Sequence, residues 1–160
     1  MLGRLPQGAS LSRLSSADRE AVTRAMERAD VLHLADRRID QLSTGERTRA
    51  LFARALATGA DILLADEPAA HLDPAHQLRL MQLMREEAAR GVAVLVTLHE
   101  LHLAAACDRI LVLKGGRLVI TGDPQLALSD TILADVFDVA AARAQLPSGV
   151  AAPVPYARGA

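Results

Sequence analysis

The sequence predicts an α/β fold with a parallel sheet, and three observations predict it. Two short runs, Ile62–Ala65 and Val92–Val96, are apolar throughout, which suits strands buried on both faces. Between them Asp73-Pro74 opens a helical stretch that stops at Gly91, giving the order strand, helix, strand. The first run ends on two adjacent carboxylates, Asp66 and Glu67, and His99 follows the second. Ligands of such sheets bind beyond the carboxyl ends of the strands. These three polar residues are therefore expected on one edge.

Bulk composition narrows the classes. A length of 160 residues fits one domain or most of one. Apolar residues make up 51% and aromatics 2%, so the core must come from Leu, Val, Ile and Ala. A net charge of −1 argues against nucleic acid as a partner held by bulk electrostatics. The lone cysteine, Cys107, excludes an internal disulfide and reads as a buried thiol in a reducing compartment. No apolar run reaches the roughly 18 residues of a membrane span. Met1-Leu2-Gly3-Arg4-Leu5-Pro6 lacks the apolar stretch of a signal peptide. The expected location is cytoplasmic, with membrane association only through a partner.

Along the chain, residues 1–15 form a polar lead-in. Ser15 or Ser16 caps a first helix, with Asp18 in its first turn and Val22, Ala25, Met26 and Ala29 as its apolar stripe. Asp40 to Ser43 read as a turn. A second helix runs from near Gly45 to about Thr58, with Gly59 as its stop. The third helix, opened by Asp73-Pro74, has Leu80, Met81, Met84 and Ala88 on its inner face. A short helix over Glu100 to Cys107 follows the second strand. Ile110 to Leu113 and Leu118 to Ile120 make a hairpin around Gly115-Gly116. Asp130 to Phe137 is a last helix, with Ser129 as a possible cap. From about Asp138 the chain turns Ala- and Pro-rich. That tail either lacks regular structure or turns as a hairpin at Pro147-Ser148-Gly149.

Two segments carry chemistry. Leu42-Ser43-Thr44-Gly45-Glu46 reads as a loop opening a helix, where free backbone N–H groups suit a phosphate. Asp66 and Glu67, at the end of a hydrophobic strand, suit Mg²⁺ and an attacking water. Together they describe ATP chemistry. The only lysine, Lys114, precedes Gly115 and Gly116, so the sequence holds no G-x-x-x-x-G-K-[ST] loop. His99-Glu100-Leu101-His102 invites a zinc reading. That pattern needs histidines four apart, and position 103 is Leu. His33, His71 and His76 are expected on surfaces or in turns. Arg47, Arg49 and Arg54 read as a solvated or subunit-facing surface.

In order and spacing, these motifs resemble the ATP-binding subunits of ABC transporters. Leu42 to Glu46 is similar to the family's signature loop, usually Leu-Ser-Gly-Gly followed by Gln or Glu. Asp61 to Glu67 is similar to its Walker B strand, and Ala70-His71-Leu72-Asp73 to its D-loop. The resemblance covers about Leu2 to Phe137. Leu2 to Pro6 and Leu98 to Pro124 look most like importers of iron–siderophore, haem or cobalamin complexes. It implies the second half of a RecA-like P-loop domain. Residues 1–58 would be a partial helical subdomain, 59–137 the second half of the core, and 138–160 a tail. It implies ATP and Mg²⁺ as ligands, with Glu67 as catalytic glutamate, Asp66 on Mg²⁺ through water, and His99 as switch histidine. Ser43, Thr44, Gly45 and Glu46 would meet ATP held on the opposite subunit of a head-to-tail dimer, with Asp73 linking the two sites. The implied partners are a second nucleotide-binding subunit and transmembrane permease subunits at the inner face of the cell membrane.

Two departures stand out. Thr44 replaces the first glycine of the signature pair, and its β-branch restricts the loop. The chain also begins after the points where the family has its Walker A and glutamine loops, as a truncated gene, a misplaced start or a fragment would. The chain alone is therefore expected to be inactive. The alternative reading is a non-transport module of the same family, for DNA repair or chromosome maintenance, or a catalytically inactive interaction partner. A DNA-linked module should carry heptad arms or a basic face, and neither is seen.

Overall fold

The computed structural model describes residues 3–4, 15–145, 149 and 151–157, so most of the lead-in lies outside the described residues. Helix α1 (Ser16–Arg28) starts at Ser15, whose hydroxyl accepts from the Asp18 amide while Asp18 accepts from the Ser15 amide. This reciprocal cap satisfies two of the donors that every helix start leaves open. The Arg4 guanidinium donates to the same carboxylate at 2.9 Å. The Ser15 hydroxyl and Arg4 together hold Asp18 below the ordinary carboxylate range.

Helix α1 packs on α2 (Thr44–Leu56), with Ala25, Ala29, Phe52 and Ala53 buried. Two 3₁₀ turns, Leu32–Leu34 and Ile39–Gln41, connect them. Helix α2 ends two residues short of the expected Thr58. The Thr58 amide and hydroxyl both donate to the Ala55 carbonyl and tighten the last turn, and Gly59 follows at φ 66°.

Strand β1 (Ile62–Ala65), helix α3 (Pro74–Ala89) and strand β2 (Ala93–Val96) realise the predicted order. The strands pair in parallel from Ile62↔Ala93 to Ala65↔Val96. Val92 falls outside the ladder because its amide donates to the Glu87 carbonyl at the end of α3. Gly91, at φ 94°, makes that turn in a conformation few other residues adopt.

Two expectations are corrected. The strands are not buried on both faces. Leu63, Ala65, Val94 and Val96 are half-buried, while Ile62, Leu64 and Leu95 are 63%, 70% and 55% exposed. A single β–α–β crossover lays its helix over one face only, and α3 packs against β2. On α3, Ala88 is exposed and Glu87 is buried in its place beside Leu80, Leu83 and Met84. A charge tolerates that position because Arg28 and Arg90 both pair with Glu87.

The described residues fall into two compact units, Met1–Thr97 and Leu98–Ala160. The second holds α4 (Leu101–Ala104), the hairpin β3 (Ile110–Lys114) and β4 (Arg117–Gly122), α5 (Pro124–Ala127), α6 (Asp130–Phe137), and a further antiparallel hairpin of β5 (Val139–Gln145) and β6 (Ala151–Ala157). The tail is thus a hairpin. Pro147 and Ser148 lie outside the described residues, and Gly149 is at φ 80°. Ala105, Leu128, Leu133 and Ala152 form the core of this unit. Helix α4 is shorter than expected, and Cys107 beyond it is half-buried, its thiol donating to the Leu103 carbonyl. Helix α5 escaped the sequence reading although Asp123-Pro124 opens it as Asp73-Pro74 opens α3.

The uneven burial gives a direct contrast. Leu80→Ala should cost about 2–5 kcal/mol in a urea unfolding experiment, as large-to-small core changes do. Leu64→Ala should cost under about 0.5 kcal/mol and should reduce hydrophobic-dye binding by the folded chain.

Candidate functional site

The carboxylate pair is positioned by the parallel ladder. The Thr97 amide donates to the Ala65 carbonyl at 3.0 Å, extending the pairing by one step. This brings the Thr97 side chain beside the end of β1. Its hydroxyl donates to Asp66 Oδ1 at 2.6 Å and accepts from the Glu67 amide at 2.8 Å. One hydroxyl thus fixes the carboxylate of one acid and the backbone of the next. Glu67 sits at φ 44°, a left-handed conformation that costs a non-glycine residue roughly 1–3 kcal/mol and persists only where neighbours enforce it. Both acids are exposed.

The chain then turns through Pro68 to Leu72. The Ala70 amide donates to the Glu67 carbonyl, and His71 is exposed at φ 63°. The Ala69 side chain is fully buried, and Gln77 Nε2 donates to the Ala69 carbonyl at 3.2 Å. Asp73 caps α3 by accepting from the His76 amide at 3.0 Å, and its other oxygen lies 2.7 Å from His76 Nδ1. These backbone and ring hydrogen bonds hold the Asp73 carboxyl below its ordinary range.

The loop opening α2 has its own reciprocal cap. The Ser43 amide donates to Glu46 Oε2 at 2.8 Å, and the Glu46 amide donates to Ser43 Oγ at 3.3 Å. The Ser43 amide, then the Ser43 hydroxyl, lowers the pKa of the Glu46 carboxyl, with Arg37 and Arg49 adding to the shift. The cap uses the amides of Ser43 and Glu46. No described hydrogen bond engages the amides of Thr44 and Gly45, which lie at the positive end of the helix dipole. Thr44 is accommodated at the first helical position, and its carbonyl accepts from the Thr48 hydroxyl. Gly45 is buried, and a Cβ there would meet the His76 ring where it now lies.

The first unit therefore brings together Asp66 and Glu67 through Thr97, and Gly45 and Asp73 through His76. His99 is exposed and lies in the second unit. Sequence reasoning missed Thr97, whose only signal is a hydroxyl one residue past the apolar run. It expected His76 on a surface or in a turn and gave it no role. The structure places His76 half-buried in the first turn of α3.

The donor set suits Mg²⁺. A carboxylate oxygen at a strand end is a hard ligand, and Mg²⁺ takes one or two such ligands besides water and phosphate oxygens.

Comparison with known proteins gives a consistent result. The family model described as ABC transporter matches residues 3–70. The chain is 46% identical over 142 residues to the hemin import ATP-binding protein HmuV of Pseudomonas fluorescens (strain Pf0-1), covering 85% of this chain and 54% of that protein. It spans about half the length of the curated relatives it matches. A transporter described as of metal-chelate ABC type, in an inward-facing conformation, superposes with a TM-score of 0.87 at 26% identity, over 97% of this chain and 63% of that one. A bacterial ABC transporter cassette solved as a dimer superposes with a TM-score of 0.60 at 30% identity, over 70% and 50% of the two chains.

Thr97→Val keeps the shape and removes the hydroxyl. It should cost about 0.5–1.5 kcal/mol per hydrogen bond lost, since both sites are solvated, and the Glu67 amide should lose protection in hydrogen exchange. The carboxylates of Asp18, Glu46 and Asp73 all titrate below their ordinary values in the folded chain. Their stabilisation is present above the unfolded pKa values, about 4, and is lost as the pH falls through the folded ones. Urea midpoints should hold between about pH 7 and pH 5 and fall steadily below about pH 4.

Proposed function

The chain belongs to the ABC transporter family of ATP-binding proteins, and on that premise we propose that it is the trailing part of an importer's ATP-binding subunit, energising uptake of a metal chelate such as haem or an iron–siderophore. The observation that carries this reading is the Asp66–Glu67 pair at the end of β1, fixed by Thr97. The similarity to a hemin import ATP-binding protein supports the substrate class.

In this proposal Glu67 polarises the attacking water and takes its proton. Its left-handed backbone and the bond from its amide to Thr97 fix the main chain from which the carboxylate extends. Asp66 would hold Mg²⁺ through water. When bound, the ion neutralises charge on the β- and γ-phosphates. His99, three residues past β2, contacts the γ-phosphate and stabilises charge as it develops. The Ser43 hydroxyl and the Thr44 and Gly45 amides bind the γ-phosphate of ATP held on a partner subunit, with Glu46 securing their loop. Asp73 links the two sites of the dimer. The superposition on a dimeric cassette supports that partner. A permease would supply the membrane anchor, since no helix among the described residues is long and apolar enough to cross a membrane. Residues 1–58 would act as a partial helical subdomain and 59–137 as the second half of the core, with 138–160 as its tail.

The test restores the phosphate-cradling half. The chain as it stands has no lysine followed by Ser or Thr and should release no phosphate from ATP. Joined to the preceding half of a hemin import relative, it should turn over. Glu67→Gln in that fusion should retain ATP binding and lose about 10²–10⁴-fold in turnover. Near-normal turnover in the variant would remove Glu67 from the chemistry.

A further inference from the structure

His76 lies between the two segments assigned above to nucleotide, and neither the motif pattern nor the family match gives it a role. Its ring touches both. Nδ1 is 2.7 Å from Asp73 Oδ2, and because a carboxylate only accepts, Nδ1 carries the hydrogen. The opposite edge of the ring, Cδ2 and Nε2, lies where a side chain on Gly45 would be, at 2.1 and 2.5 Å from that Cβ position. An imidazole can come this close only to a glycine. Gly45 is in the first turn of α2, and His76 is in the first turn of α3. The neighbouring Gln77 bonds to the Ala69 carbonyl, which ties the same turn of α3 to the segment that follows Glu67.

We propose that His76 is a positioning residue that locks the Ser43–Glu46 loop to the Glu67–Asp73 segment, so that the two move as one. The nucleotide-facing role of both segments rests on the function proposed above; the coupling itself does not. The ring is held at one end by a carboxylate and seated at the other on bare backbone. A shift of Asp73 that carries the imidazole with it must therefore change the packing on Gly45. A shift of the α2 helix start must likewise move the ring against Asp73. A flexible aliphatic chain at position 76 would transmit neither displacement.

The experiment follows Gly45 by nuclear magnetic resonance in the chain without nucleotide. Asp73→Ser keeps an oxygen to cap α3 but cannot reach Nδ1. In the otherwise native chain it should shift the Gly45 and Glu46 amide resonances. In a His76→Ala background the same replacement should leave both resonances in place. Gly45→Ala supplies a second measurement, by thermal unfolding. Its methyl group must displace the ring and break its bond to Asp73, so it should lower the midpoint more with His76 present than with His76→Ala, a non-additive pair. Equal responses of Gly45 to Asp73→Ser in the two backgrounds, or additive midpoints, would overturn the coupling. Because neither readout uses ATP, loss of the ATPase reading would leave this result standing, and the reverse also holds.

Discussion

The parallel pairing of Ile62–Ala65 with Ala93–Val96 is the constraint on which the candidate site depends. Side chains alternate along a strand, so a shift of one residue would turn each one to the other face. The observed register sets Ala65 against Val96, and the next step delivers the Thr97 hydroxyl to Asp66 and to the Glu67 amide. Any other register would leave Glu67 in a left-handed conformation with nothing to hold its amide. The pairing also returns α3 across one face of the strands, which fixes where Asp73 and His76 begin that helix. The carboxylate pair and the helix starts around it thus follow from one ladder of four residue pairs.

Much of this was legible because short-range chemistry decides it. Ser15 with Asp18 and Asp73 with Pro74 are helix-start signals that need no tertiary context, and their helices begin where those signals stand. Leu42 to Glu46 read as a loop opening a helix, and Ser43 with Glu46 form its cap. The two apolar runs became strands, the first with the expected bounds. Burial was less legible, because an apolar run records what a strand can bury rather than what covers it. Leu63 and Leu64 are indistinguishable by type, yet Leu63 is half-buried and Leu64 is exposed. Thr97 and His76 were hidden for a related reason. The contacts of Thr97 with Asp66 and Glu67 and of His76 with Gly45 span 30 or more positions in sequence, and no local pattern encodes a distance of that kind. The Asp123-Pro124 start of α5 was present in the sequence and passed over beside the larger hairpin that precedes it.

The buried Glu87 shows the same limit from the side of electrostatics. Periodicity puts position 87 on the inner face of α3, seven residues after Leu80, where an alanine or leucine would be the simple choice. A carboxylate there loses its hydration and must be compensated by paired charge. Arg28 arrives from the end of α1 and Arg90 from the last turn of α3. Burial, with the neighbouring charge of Arg90, lowers the Arg28 pKa. An apolar residue could pack at position 87, but it would not tie α1 to α3 by a directional contact. The ion pairs therefore act on orientation more than on net stability. They fix the helix pair α1–α2 against the β1–α3–β2 layer within the first unit, and that relation sets how the start of α2 meets the start of α3.

The distribution of charge around the proposed site follows the same division. The strand-end site offers two exposed carboxylates, Asp66 and Glu67. The single lysine, Lys114, pairs with Asp135 in the second unit. At the start of α2 the balance reverses. Glu46 is engaged by its own cap, and Arg37 and Arg49 are near enough to lower its pKa. A triphosphate repels bare carboxylates and is drawn to free amides at a helix start within a positive field. In the proposed assembly, phosphate oxygens would therefore be held directly at Thr44 and Gly45 and would meet Asp66 only across a divalent cation. In that assembly the two segments would divide the work by charge, one for the anion and one for the metal and water. That division would be effective only if their separation is fixed, and the His76 ring, against Gly45 on one side and Asp73 on the other, joins them within this chain.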